Sequence, residues 1–207
     1  AAPAPGHTVR LVAGDLMEET RFPVAAPTAC PPTWSNYVKG VLAQLFGGCP
    51  PATGFDAMFL GDIPVGAGLS SSAALEMSSG LAFLRLYGRE APKLALARAG
   101  QTAEHTFVGV KCGLLDHITS LSGEDGHLVI TDFRSLETEL VPMGGDLAFL
   151  VCDTGVRHRL VDSDYNERRA RCREASDFFA ANLPHPVRAL RDVSMDEWRR
   201  LSARSGP

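Results

Sequence analysis

The sequence lacks an apolar run long enough to cross a bilayer, a C-x-x-C pair and an excess of positive charge. Each absence removes a class of function. The first argues against a helical membrane protein. The second leaves Cys30, Cys49, Cys112, Cys152 and Cys172 without a disulfide frame or zinc-knuckle spacing, so they read as reduced thiols. The third, a net charge of −4, sets the chain as a whole against nucleic acid. The unpaired cysteines lead to the expectation of a cytoplasmic setting, and the opening AAPAPGHTVR shows no apolar segment of the secretory-leader type. Internal repeats and low-complexity tracts are missing too. What remains is the composition of an ordinary globular protein, 207 residues with 45% apolar and 21% charged, enough for one large or two small domains.

Gly61 to Glu76, GDIPVGAGLSSSAALE, is the most informative stretch. An apolar run ends at Pro64, a glycine-rich turn follows, then three serines and a helix-forming segment. Glycines let backbone approach an anion and adopt positive φ. Serines are expected to cap the helix, whose free N–H groups and positive dipole end face the turn. It is not a Walker loop, because no Lys-Ser or Lys-Thr follows the glycines, nor a G-x-G-x-x-G fingerprint.

Around this stretch, Thr8–Val12 and Glu19–Val24 read as strands about a turn at Gly14-Asp15. A helix capped by Thr33 or Ser35 runs to about Phe46, and Gly54–Ile63 reads as a strand. Helices are expected from Ser71 to Tyr87, from Pro92 to Phe107 and, after a loop, before Gly123. A hairpin follows at His127–Asp132 and Leu136–Val141, with Leu136, Thr138 and Leu140 on one face. Gly144-Gly145 reads as a domain boundary and Leu147–Cys152 as a buried strand. A charged helix from Asp162 or Ser163 to Ala181 and a short one near Ser194–Ala203 complete the chain. Antiparallel strand runs with helices between them point to an α+β fold.

Several side chains read two ways. Asp116, between apolar residues and near Gly113, is either a helix N-cap or a general base that accepts a hydroxyl proton beside a phosphate loop. Glu104 is either a solvated helical residue or a magnesium ligand shared with Ser72. Trp34 and Tyr37, three apart on one helical face, either stack on a purine base or pack in the core. Tyr165 either faces a ligand or caps its helix. Arg157, His158, Arg159, Arg168, Arg169, Arg171 and Arg173 read as a solvated face, because acids are interleaved. His105, His117, His127 and His158 have no metal-ligand spacing and read as non-ligands.

Pro64, Gly66, Gly68, Leu69, Ser71, Ser72 and Ala73 reproduce the P-x-G-x-G-L-x-S-S-A loop of the GHMP small-molecule kinases. Together with WSNYVKGV from Trp34, QTAEHTFVGVKCGLLDHITSLSG from Gln101, FRSLETELVP from Phe133 and TGVRHRL…SDYNERRARC from Thr154, the chain resembles the galactokinases of that superfamily from about Val9 to about Leu201. The resemblance implies transfer of the ATP γ-phosphoryl to the anomeric hydroxyl of galactose. It implies Asp116 as the catalytic carboxylate, Gly66, Gly68, Leu69, Ser70, Ser71 and Ser72 as the ATP cradle, and Ser72 and Glu104 as Mg2+ ligands. It further implies Trp34 and Tyr37 at the adenine, and Gly113, Asp116 and Tyr165 along the sugar. The implied architecture is a GHMP two-domain one: an N-terminal mixed sheet with helices over 1–143, and the start of a ferredoxin-like domain over 144–207.

His117 stands where the family usually has Gln, and Leu114-Leu115 where it has Ile-Met. The family signatures G-E-H-T-D-Y and G-G-G-F-G-G are not in the sequence, and the expectation is an internal portion of a galactokinase that is monomeric when complete. Two rival readings are an ATP- and sugar-binding sensor without turnover and a kinase acting on N-acetylgalactosamine.

Overall fold

The computed structural model describes residues 1–152 and 164–202. Arg157, His158 and Arg159, the caps Asp162 and Ser163 and the helix end at Ala203 lie outside the described residues. The chain divides into two compact units, 1–161 and 162–207. No helix among the described residues is long and apolar enough to cross a membrane.

The first unit is α+β. Its strands are β1 (Ala2–Pro3), β2 (Thr8–Ala13), β3 (Glu18–Pro23) and β4 (Phe55–Phe59), in the order β1-β4-β2-β3. β2 pairs antiparallel with β3 and parallel with β4, so Leu11 faces Thr20 on one side and Ala57 on the other. The strict alternation of β2 dictates this placement. Val9, Leu11 and Ala13 are buried while Arg10 and Val12 between them are half-exposed. β4 is shorter than the Gly54–Ile63 strand expected from sequence, because its ladder ends at Phe59.

Four helices follow: α1 (Trp34–Phe46), α2 (Ser71–Leu86), α3 (Lys93–Ala103) and α4 (Leu115–Ser122). Val38, Val41, Leu42 and Phe46 recur at helical spacing on α1, and they join Val9, Leu11, Phe55, Met77, Phe83 and Leu96 in one core. α3 does not run on to Phe107 as one α-helix. It widens into a single π-turn, Glu104–Val108, closed by Gly109 at φ +90°. Thr33 occupies the α1 cap position without a side-chain cap bond; the Ser35 hydroxyl donates instead to the Pro32 carbonyl (2.7 Å).

β5 (His127–Thr131) and β6 (Thr138–Pro142) form the expected hairpin. Leu136 is not in its second strand. It sits in the turn at φ +62°, so the strand begins two residues later. Leu147–Cys152 is not a buried strand either: among the described residues no strand pairs with it, and Leu147, Phe149 and Leu150 are 64%, 75% and 89% exposed. An apolar run becomes a strand only where a neighbouring edge takes its N–H and C=O groups.

The second unit holds α5 (Asp164–Asn182) and α6 (Met195–Ser202) about a small cluster of Phe179, Leu183 and Leu201. Ser194 and Glu197 close a reciprocal capping box at the start of α6, and these backbone and side-chain bonds hold the half-buried Glu197 carboxylate down to about 2.

Candidate functional site

The bend that sequence singled out is open. Pro64, Val65, Gly66, Gly68 and Leu69 are exposed, and Ala67 and Ser70 are half-buried. Gly66 and Gly68 adopt φ +76° and +78°, and Ser70 follows at φ +56°. A side chain at either glycine would be strained, which accounts for the two glycines. The Asp15 carboxylate, from the β2–β3 turn, accepts the Gly61 N–H (3.0 Å) and pins the entrance of the bend to the sheet.

The serines do not cap. Ser70 stands at the N-cap position of α2 in the left-handed region, and its side chain makes no cap hydrogen bond. The expected local satisfaction of the first-turn N–H groups by the cap side chain is therefore missing. Ser71 and Ser72 are half-buried in that turn.

One turn further along α2, the chemistry changes. Glu76 is fully buried, and its Oε2 lies 2.7 Å from Nε2 of His117 on α4. Its Oε1 has no hydrogen-bond partner. Burial, then the nearby Glu104 charge, pushes Glu76 up to about 10. Burial pushes His117 down, opposed by Glu104 and Asp116. Both shifts favour the neutral forms, so the pair is a carboxylic acid donating to an imidazole. The Gly113 backbone favours protonation of the ring, but His117 Nδ1 makes no hydrogen bond of good geometry.

Gly100 on α3 leaves room for that ring and for Met77. A Cβ there would stand 2.6 Å from His117 Cδ2 and 2.5 Å from Met77 Cε. Glu104, 3% exposed, opens the π-turn on the same helix. The Cys112 carbonyl accepts from Gln101 Nε2 (3.1 Å) and bonds His105 Nε2 (3.0 Å), which ties the loop before α4 back onto α3. Burial and then the Glu104 carboxylate, to which its thiol is hydrogen-bonded, push Cys112 strongly upward. Burial, with Glu104, Glu76 and Cys112, lifts the Tyr37 hydroxyl to about 12. Tyr37 thus belongs electrostatically to this acid cluster.

Asp116 stands in the first turn of α4, exposed, one residue before His117. It is not the N-cap, which is Leu114. The Glu76–His117 bond therefore fastens the helix that starts at the bend to the helix that carries Asp116. Gly113 is exposed just before α4. Trp34, at the start of α1, is half-buried against Phe59 with ring centroids 6.3 Å apart, and its Nε1 has no hydrogen-bond partner. Tyr165, 44% exposed, lies on α5 in the second unit. A small cavity of about 120 Å³ lined by Leu94, Ile118, Leu121 and Leu136 touches neither the bend nor Asp116.

Sequence reasoning missed Glu76, Cys112 and His117 as members of one network. A signal for the first existed: Glu76 is the single charged residue between Asp62 and Arg85.

Known proteins resemble the chain throughout. Residues 36–124 match the family of GHMP kinases N terminal domains. A galactokinase of Chloroflexus aurantiacus is 46% identical over 165 residues, 77% of this chain and 41% of that protein. One of Mannheimia succiniciproducens is 37% identical over 200 residues, 95% of this chain and 50% of that protein. Among solved structures, Lactococcus lactis galactokinase complexed with galactose superimposes with a TM-score of 0.86 at 29% identity, covering 99% of this chain and 54% of that one. The chain spans about half the length, or less, of these curated relatives.

Proposed function

Because the chain belongs to the GHMP kinase superfamily, we propose that the protein of which it is part is a galactokinase, transferring the γ-phosphoryl of ATP to the anomeric hydroxyl of galactose. The observation that carries this reading is the coupling of an open, positive-φ bend at a helix N-terminus to an exposed carboxylate on a neighbouring helix through the buried Glu76–His117 bond.

The bend and the first turn of α2 bind the triphosphate. Backbone N–H groups left without a side-chain cap, together with the helix dipole, favour anionic oxygens there. Ser71 and Ser72 hydroxyls add donors, and Gly66, Gly68, Leu69 and Ser70 shape the cradle. Trp34 lines the adenine side with Tyr37 behind it. Asp116 accepts the proton of the sugar hydroxyl as it attacks, while Gly113 lines the sugar.

A magnesium ion fits the hard oxygen donors offered by the Ser72 hydroxyl and the Glu104 carboxylate. When bound, it neutralises charge developing on the transferred phosphoryl group. Residues 1–143 serve as the ATP-binding domain and 144–207 begin a ferredoxin-like one, in a cytoplasmic monomer.

The test is a coupled ADP-release assay on the full-length protein with Mg·ATP and galactose. Galactose-dependent ADP release is expected. Binding of both ligands without turnover would instead make the protein a sensor. Turnover only with N-acetylgalactosamine would reassign the sugar.

A further inference from the structure

Glu104, Cys112 and His117 each offer one ligating atom, and these atoms all lie within 4.8 Å of one another. Tetrahedral bonds of about 2.0–2.3 Å place ligand atoms roughly 3.3–3.8 Å apart, so side-chain shifts of about 1 Å would close the cage. A second observation points to a ligand. His117 is 1% exposed, its Nδ1 faces the Gly113 backbone but makes no hydrogen bond of good geometry, and its Nε2 is held by the Glu76 carboxyl at 2.7 Å. A histidine that binds a metal through one nitrogen donates its other N–H to a carboxylate, the arrangement this pair reaches once the Glu76 proton has passed to Nε2.

We propose that Glu104, Cys112 and His117 form a buried site for one borderline divalent cation of the zinc class, with Glu76 orienting the histidine. The donor set is a thiol, an imidazole and a carboxylate, which suits zinc and not magnesium. Three protein ligands leave a fourth position for water. On binding, the Glu76 carboxyl proton passes to Nε2, and the Nδ1 and thiol protons leave to solvent. Glu104 is also the proposed magnesium ligand, so zinc occupancy and turnover exclude each other. That consequence rests on the kinase reading; the binding readouts below do not.

Full-length protein is titrated with Cd2+ and then Zn2+. The expected result is a thiolate-to-cadmium charge-transfer band that saturates at one equivalent and is displaced by Zn2+. C112S should abolish it. H117Q, which keeps an amide to face Glu76, should weaken Zn2+ binding at least about 10–100-fold, the range for loss of a mere outer-shell partner. A band that survives C112S, or equal Zn2+ affinity in H117Q, overturns the site. Should either variant fail to fold, crystals of the unaltered protein soaked in Zn2+ decide. An anomalous peak among the three side chains is expected, and its absence there sinks the proposal.

Discussion

The Pro64–Ser72 bend and the Glu76–His117 pair lie one helical turn apart on α2, yet opposite rules build them. The bend is exposed, made of backbone in positive-φ conformations, and its cap residue satisfies none of the helix's N–H groups through its side chain. The pair is sealed from solvent and assembled from side chains on α2 and α4, with α3 closing over it at Gly100. An anion site needs unfilled donors and room; a scaffold that fixes two helices needs filled contacts and none. The difference assigns recognition to the surface layer and positioning to the layer beneath it.

Variants on the two layers should therefore separate activity from stability. The largest effect is expected from Asp116→Asn in the full-length protein. Turnover should fall about 10²–10⁴-fold with an unchanged denaturation midpoint, because the side chain is exposed. Full activity in that variant would remove the general-base role.

Gly100→Ala strikes the lower layer. Its Cβ would enter the space of His117 and Met77, and overpacking of this kind costs about 1–3 kcal/mol. Urea denaturation measures it; an unchanged midpoint would mean that α3 does not clamp the ring.

The lower layer also carries a pH signature. Glu76 is raised from 4.5 to about 10, so the folded chain holds a proton there that the unfolded chain has lost across that interval. Stability from this group is complete below the unfolded value and declines as pH rises toward the folded one, by at most about 1.4 kcal/mol per pH unit. His117, lowered, has the reverse slope, and only below its ordinary 6.5. Cys112 and Tyr37, both raised, act with the sign of Glu76 at higher pH. Midpoints at about pH 7 and about pH 9 should show a loss; a gain would mean that Glu76 is ionised in the fold.

The smallest effect belongs to the upper layer. Ser70→Ala should change stability by less than about 0.5 kcal/mol, since no cap bond is lost. A loss of about 1 kcal/mol or more, the usual worth of a serine cap, would show that the side chain caps the helix after all.

Legibility in the sequence followed the same division. The bend was readable because its glycines, serines and following helix are contiguous. β2, β3, α1 and α2 were readable because their periods of two and 3.6 are local. The buried network was not, because residues 76, 104, 112 and 117 have no ligand-like spacing and meet only when α2, α3 and α4 pack. The π-turn at Glu104 breaks a run that reads as uninterrupted helix. Leu147–Cys152 has the composition of a strand, but composition does not supply the neighbouring edge. Asp116 was readable as a helix-start residue, while its exposure beside a buried histidine was not.

Every role proposed for the bend requires that the N-terminus of α2 take the triphosphate within reach of Asp116. A crystal structure of the full-length protein with galactose and a non-hydrolysable ATP analogue tests it most directly. β- and γ-phosphate oxygens are expected on the backbone N–H groups of residues 71–73, with the Asp116 carboxylate on the anomeric hydroxyl. Phosphates bound elsewhere, or a sugar hydroxyl turned away from Asp116, would contradict it.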